Sequence, residues 1–306
     1  MDKLLNEFSA IRDELLELQS KDDYTKSLEL LQPFADKGLA IAQHFIGTFH
    51  YFGRSIPVDY KKAAEWLTKA ADQNEPNALS MLGHLYLRGF GVSKNVVKGI
   101  ELVNKAIQLE CYYGFFVLGN YYASLKKEES INEAAYWYIE GIKRNNIDSI
   151  RALSALYYDR KMYEKALQLL LMGVKLGCLE SSFNAACMID EGLGCEKDPQ
   201  MAFDMLEIAA QSGHVQAKHN LGTFFYNGQV VKQDKNKALE LYLESANKGN
   251  SLSQHSAGLM YFNGDLPQDL DVSLAWFRKA LENGHKASAR FIEEIELIQS
   301  KKFTTH

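Results

Sequence analysis

Apolar residues recur along the chain at three- and four-residue intervals, the spacing of helices that bury one face. Two kinds of block alternate. One reads ALSMLGHLYLRGFGV from Ala78, with Leu82, Leu85 and Tyr86 at helical spacing. The other reads DYKKAAEWLTKAADQN from Asp59. Asp59 is placed to cap that helix, and Asp198, Asp234 and Asp269 take the same place in later blocks. Ala63, Ala70 and Ala71 make a low-volume face where two helices can approach closely. The pattern predicts an all-helical chain with no sheet.

The alternation has a period. The small residue in the middle of each first block falls at Gly47, Gly83, Gly119, Ser154, Ala186, Gly222 and Gly258, in steps of 36, 36, 35, 32, 36 and 36. A second series ends each second block, at Gly38, Asn74, Glu110, Asn145, Gly177, Gly213, Gly249 and Gly284. Glycine there suits a left-handed helix C-cap, and asparagine tolerates it. Glu110 does not, which predicts an irregular helix end. Gly89 and Gly91, Gly192 and Gly194, Gly228 and Gly264 fall in the connections between blocks. No strand precedes them and no Lys-Ser/Thr follows, so they predict repeated turns rather than a phosphate cradle. Pro33 interrupts a helical pattern and predicts a kinked or shortened helix. A single helix pair cannot bury its apolar face alone, whereas stacked pairs can. About eight antiparallel pairs and a last helix near 286–300 account for the 306 residues.

Composition narrows the classes. Five prolines favour helix, because average usage would supply about 15. Acids outnumber bases 39 to 34, a net charge of −5, which argues against phosphate-backbone binding and so against a nucleic-acid partner. The N-terminal stretch MDKLLNEFSAIRDELLELQS is interrupted by charges and holds no signal peptide, and no apolar run reaches membrane-spanning length. The expectation is a cytoplasmic protein without membrane insertion, with export by a non-Sec route left open because such signals need not be hydrophobic. Four cysteines without a CxxC pair predict reduced, structural thiols and no zinc knuckle.

Ala78, Leu82, Gly83, Tyr86, Gly89, Gly91 and Val92, with Asp59, Ala63, Trp66, Lys69, Ala70 and Ala71 from the block before, resemble the Sel1-like repeat family, a relative of the tetratricopeptide repeat. Trp137 and Trp276 fall in the Trp66 slot. The resemblance is specific at 40–114 and 180–285. It weakens at 115–179, where ALYYDRKMYEKALQLL looks more like an ordinary tetratricopeptide unit. It implies a right-handed α-solenoid with an N-terminal capping helix pair at 1–38, a repeat array at 39–285, and a C-terminal capping helix and tail at 286–306. It also implies an adaptor role without catalysis or cofactor, in which a partner protein or peptide lies in a concave groove lined by the first helix of each pair.

Counting from the first series gives the groove positions. They are His44, Tyr51, His84, Phe116, Asn120, Arg151, Tyr158, Phe183, Asp190, His219, Tyr226, His255 and Phe262. Aromatic side chains offer much contact area for little lost rotamer freedom. Arg151, Asp159, Asp190 and Glu191 make the middle repeats a mixed, locally acidic stretch, which suits a partner segment carrying Lys or Arg. The scaffold has two biological versions, a bacterial signalling or virulence adaptor and an immunity protein that sequesters a toxin. The competing class is a metal-dependent hydrolase using His44, His84, His219 and His255. It requires His219 and His255, in equivalent slots of neighbouring repeats, to tilt toward one ion.

Overall fold

The computed structural model describes residues 2–20, 23–54, 56–265 and 267–304, and among them all regular structure is helical. The residues pack as two units, 1–153 and 154–306. The first unit holds α1 (Asp2–Ala10), α2 (Arg12–Ser20), α3 (Tyr24–Asp36), α4 (Ala40–Phe52), α5 (Tyr60–Ala71), α6 (Pro76–Arg88), α7 (Val96–Gln108), α8 (Tyr113–Ser124) and α9 (Glu128–Ile142). It ends within α10 (Ile147–Asp159). The second unit holds the rest of α10, then α11 (Tyr163–Lys175), α12 (Leu179–Glu191), α13 (Pro199–Gln211), α14 (Val215–Asn227), α15 (Lys235–Ala246), α16 (Ser251–Asn263) and α17 (Leu270–Glu282). A 3-10 turn at Lys286–Ser288 leads into α18 (Ala289–Thr304).

Within each unit the first helix of a pair packs on its own second helix and on the second helix before it. Thus α6 lies against both α5 and α7, and α14 against both α13 and α15. In the first unit the first helices also touch one another, α4 with α6 and α6 with α8. This is the α-solenoid, tetratricopeptide-like packing expected from the repeat.

Local chemistry starts and stops these helices where the sequence places them. The carboxylates of Asp59, Asp198, Asp234 and Asp269 accept from the backbone N–H of Lys62, Met201, Lys237 and Val272, and Asn95 does the same for Lys98. Each such cap is worth about 1 kcal/mol. The second helices end on left-handed residues throughout, from Gly38 (φ 89°) to Gly284 (φ 91°). The expected irregularity at Glu110 is absent. Glu110 adopts φ 62°, and the Glu110 and Cys111 amides donate to the Ile107 and Ala106 carbonyls at 3.0 and 2.9 Å. The bonds that close this helix end are the same whichever residue stands there, and glutamate bears the strain that glycine avoids. Pro33 does not shorten its helix either. α3 runs on to Asp36 and has the same 13 residues as α4, with Pro33 on the exposed side.

The recurring small residues are packing sites. A Cβ on Gly47 would stand 2.7 Å from Leu67, one on Gly119 2.3 Å from Tyr138, and one on Gly258 2.9 Å from Phe277. In each case the obstacle is the second helix of the same pair. The loop glycines have a second reason beyond backbone angle. A Cβ on Gly91 would lie 2.1 Å from the Tyr60 carbonyl oxygen, so this loop rests on the start of the preceding second helix. Where the loops shrink, Lys126 (φ 56°) and Lys161 (φ 58°) take left-handed positions instead. The first unit is centred on Leu31, Ile46, Phe49, Leu67, Leu79, Leu85 and Leu118, and the second on Leu170, Ile189, Leu206, Met260, Phe277 and Ile295, all buried.

Candidate partner-binding surface

Of the side chains counted onto the first-helix face, Arg151 and Tyr158 are exposed and the other eleven are half-buried. Many tie one repeat to the next. Tyr51 Oη pairs with His84 Nδ1 at 3.0 Å, His219 Nδ1 with Ser253 Oγ at 2.9 Å, and His255 Nδ1 with Ser288 Oγ at 2.9 Å. Tyr226 donates to Asp265 Oδ2 at 2.8 Å; within one repeat, Asn120 accepts from Tyr138 at 2.6 Å. The rest meet rings or a neighbouring charge. Phe183 stacks on His214 at 4.8 Å, Phe116 tilts on Tyr113 at 5.3 Å, and His44 lies 5.4 Å from Phe45. Phe262 meets Phe291 edge-on at 5.6 Å, Tyr158 meets Tyr163 at 5.4 Å, and Arg151 reaches Asp148 at 3.7 Å.

Burial sets the state of the histidines. Desolvation pushes His84, His219 and His255 down to about 4, and lowers His44 as well. These rings are neutral near pH 7. His219 and His255 each turn to a serine one repeat further on. Among the described residues, no three His, Cys, Asp or Glu side chains are grouped to hold a metal ion.

One part of this face opens into a cleft. It encloses about 330 Å³ between α12 and α14, floored by Ala186, Leu206 and Phe224. Its polar rim is Cys187, Asp190, Glu191, His219, Asn220, Thr223, Asn227 and Gln229. Asp190 Oδ1 is shielded from water with no hydrogen-bond partner; Lys197 Nζ forms a loose ion pair with it at 4.0 Å, too far to donate a hydrogen bond. The Cys187 thiol is pushed up to about 11 by burial, then by the charges of Glu191 and Asp190, so the field of both carboxylates reaches the cleft. The C-terminal ends of α12 and α14 close this end and add partial negative charge. Asp190 and His219 were counted onto this surface from sequence; Asn220, Asn227 and Gln229 were not. Positions two before and five and seven after Gly222 would have found them.

Among the described residues, no helix is long and apolar enough to cross a membrane. The Sel1 repeat family matches residues 40–75, 76–111, 116–146, 179–214, 215–250 and 251–285, more than half of the chain. The match takes in 116–146, where the sequence resemblance weakens, and leaves out the pair α10–α11. In sequence, the chain is 39% identical over 74 residues to the Arabidopsis thaliana protein described as an ERAD-associated E3 ubiquitin-protein ligase component, HRD3A. That stretch is 24% of this chain and 11% of the relative, so the chain spans a small part of the curated relative's length. In structure, a Sel1 repeat protein from Oxalobacter formigenes superposes with a TM-score of 0.65 at 24% identity, covering 89% of this chain and 81% of that one. A protective antigen of uropathogenic Escherichia coli strains, displaying an SLR fold, gives 0.63 at 22% identity over 97% of this chain and 67% of its own. Six repeats matched in sequence and the helix-pair packing described above agree: the chain belongs to the Sel1 repeat family.

Proposed function

We propose that the chain is a non-catalytic protein-interaction scaffold, in which a partner segment lies along the first-helix face of α12 and α14 and sends a lysine or arginine side chain into the cleft between them. The observation that carries this reading is an unfilled hydrogen-bond acceptor in the cleft, which the loose Lys197 ion pair does not satisfy. Asp190 Oδ1 is buried without a donor, which costs about 1–3 kcal/mol that an incoming ammonium or guanidinium recovers. Glu191, Asn227 and Gln229 at the rim are exposed and able to orient that cation. The Sel1 repeat family supports the same class of work, since its stacked helix pairs present long surfaces for other proteins.

The test is capture by the immobilised full chain, wild type against Asp190→Lys with Glu191→Lys. The double variant is expected to keep its helical circular dichroism and to bind the captured partner at least about tenfold more weakly. Undiminished capture would place the contact elsewhere.

A further inference from the structure

The two positions that bracket the glycine ending a first helix do different work in the two units. Around Gly192 and Gly228, in the second unit, Glu191, Asn227 and Gln229 line the acidic cleft. In the first unit the same places carry Phe52 and Arg88 before the glycine, and Arg54 and Phe90 after it. Phe52 is 52% exposed and Phe90 37%. These rings are held from beneath. Tyr60 stacks on Phe90 at 4.8 Å and 20°, and Tyr51 meets Phe52 edge-on at 4.7 Å and Tyr60 at 5.6 Å. Fixed aromatic side chains lose little entropy on contact, which suits them to carry binding energy.

The charge beside them is positive. Arg54 lies over two rings, its guanidinium carbon 5.0 Å from the Tyr24 centroid and 5.3 Å from that of Phe52. Arg88 acts electrostatically on Tyr51 and His84. No carboxylate among the described residues pairs with either arginine; Asp59, in the same connection as Arg54, is committed to the α5 cap and to Lys62. Arg54 is exposed, and an exposed guanidinium held over rings presents a planar fork to a carboxylate.

We infer that the first unit docks a carboxylate-bearing, aromatic-containing segment of a partner protein on the platform of Phe52 and Phe90, with Arg54 and Arg88 receiving its Asp or Glu side chains. This rests on the scaffold reading above and assigns it a second contact of opposite charge to the cleft. Charge complementarity selects the occupant. A basic segment would meet two unpaired guanidiniums, and a purely apolar one would leave them without partners.

The probe is a fluorescein-labelled 12-residue peptide of Glu, Asp and Phe, titrated into the full chain by anisotropy, beside a peptide with Gln and Asn for the acids. The acidic peptide is expected to bind at least about tenfold more tightly than its amide twin. The exposed substitution Arg54→Glu should erase that preference, and Phe52→Ser with Phe90→Ser should weaken binding about tenfold. Asp190→Asn with Glu191→Gln, which places no cation at the cleft, should leave it unchanged. Equal affinity for the two peptides, indifference to Arg54→Glu, or no binding up to about 1 mM would overturn the inference. So would a dimer of the chain that Arg54→Glu dissolves, which would make a second copy the occupant. Because the cleft variant is read separately, loss of partner capture with intact peptide preference, or the reverse, shows which contact fails.

Discussion

Gly83→Leu is expected to destabilise the fold by about 3 kcal/mol, measured as a lower denaturation midpoint with an unchanged slope. Two effects oppose each other. Replacing a mid-helix glycine with leucine gains about 1 kcal/mol of helix propensity. Against this, a Cβ at position 83 would lie 2.5 Å from Val103 Cγ2 and 2.8 Å from the Gly99 carbonyl oxygen. The valine methyl can rotate away. The carbonyl belongs to the backbone of α7 and moves only if the two helices part. Gly99 is itself a glycine for the reciprocal reason, since its own Cβ would stand 3.0 Å from the Gly83 oxygen. Overpacking therefore wins over propensity. An unchanged midpoint would mean that α6 and α7 do not cross at these two glycines.

The second large effect concerns Tyr226 and Phe262, both counted onto the binding face from sequence. Their joint replacement by alanine is expected to cost about 3–5 kcal/mol of stability. Phe262 packs edge-on against Phe291 and lies 6.5 Å from the fully buried ring of Phe277. Tyr226 donates to Asp265, whose other oxygen takes Lys235 Nζ at 2.6 Å, and that carboxylate is only 12% exposed. Truncating the tyrosine leaves a nearly buried acceptor half served. The two losses are coupled, because Asp265 stands three residues beyond Phe262. Urea denaturation and partner capture on the same sample separate the alternatives. Lost stability together with lost capture assigns the rings to packing between repeats. An unchanged midpoint with lost capture would make them contact residues.

These two cases show what periodicity reveals. The series through Gly83 and Gly222 located the helix crossings because close approach demands a small residue wherever it recurs. The series through Gly38 and Gly284 located the helix ends for a different reason, the left-handed backbone that closes each second helix, and it held at Glu110 because the closing bonds are made by the backbone. Of the side chains counted from those glycines, Asp190 and His219 line the cleft. Their partners were beyond the pattern. That His219 turns to Ser253, and Tyr226 to Asp265, depends on rotamers and on contacts between residues 34 and 39 apart. The cleft itself opens at the C-terminal ends of α12 and α14, past the counted columns, so Asn227 and Gln229 stayed out of view. Pro33 did not shorten its helix, because α3 continues for three residues beyond it. Here it falls near the end of α3 with its ring exposed.

The most direct measurement of the central claim is site-specific photocrosslinking of the full chain with a photoreactive phenylalanine, at Asn227 on the cleft rim or at Glu207 on the exposed side of α13. A scaffold that holds its partner on the first-helix face predicts a covalent partner adduct from position 227 and none from 207. Adducts from 207 without any from 227 would contradict it.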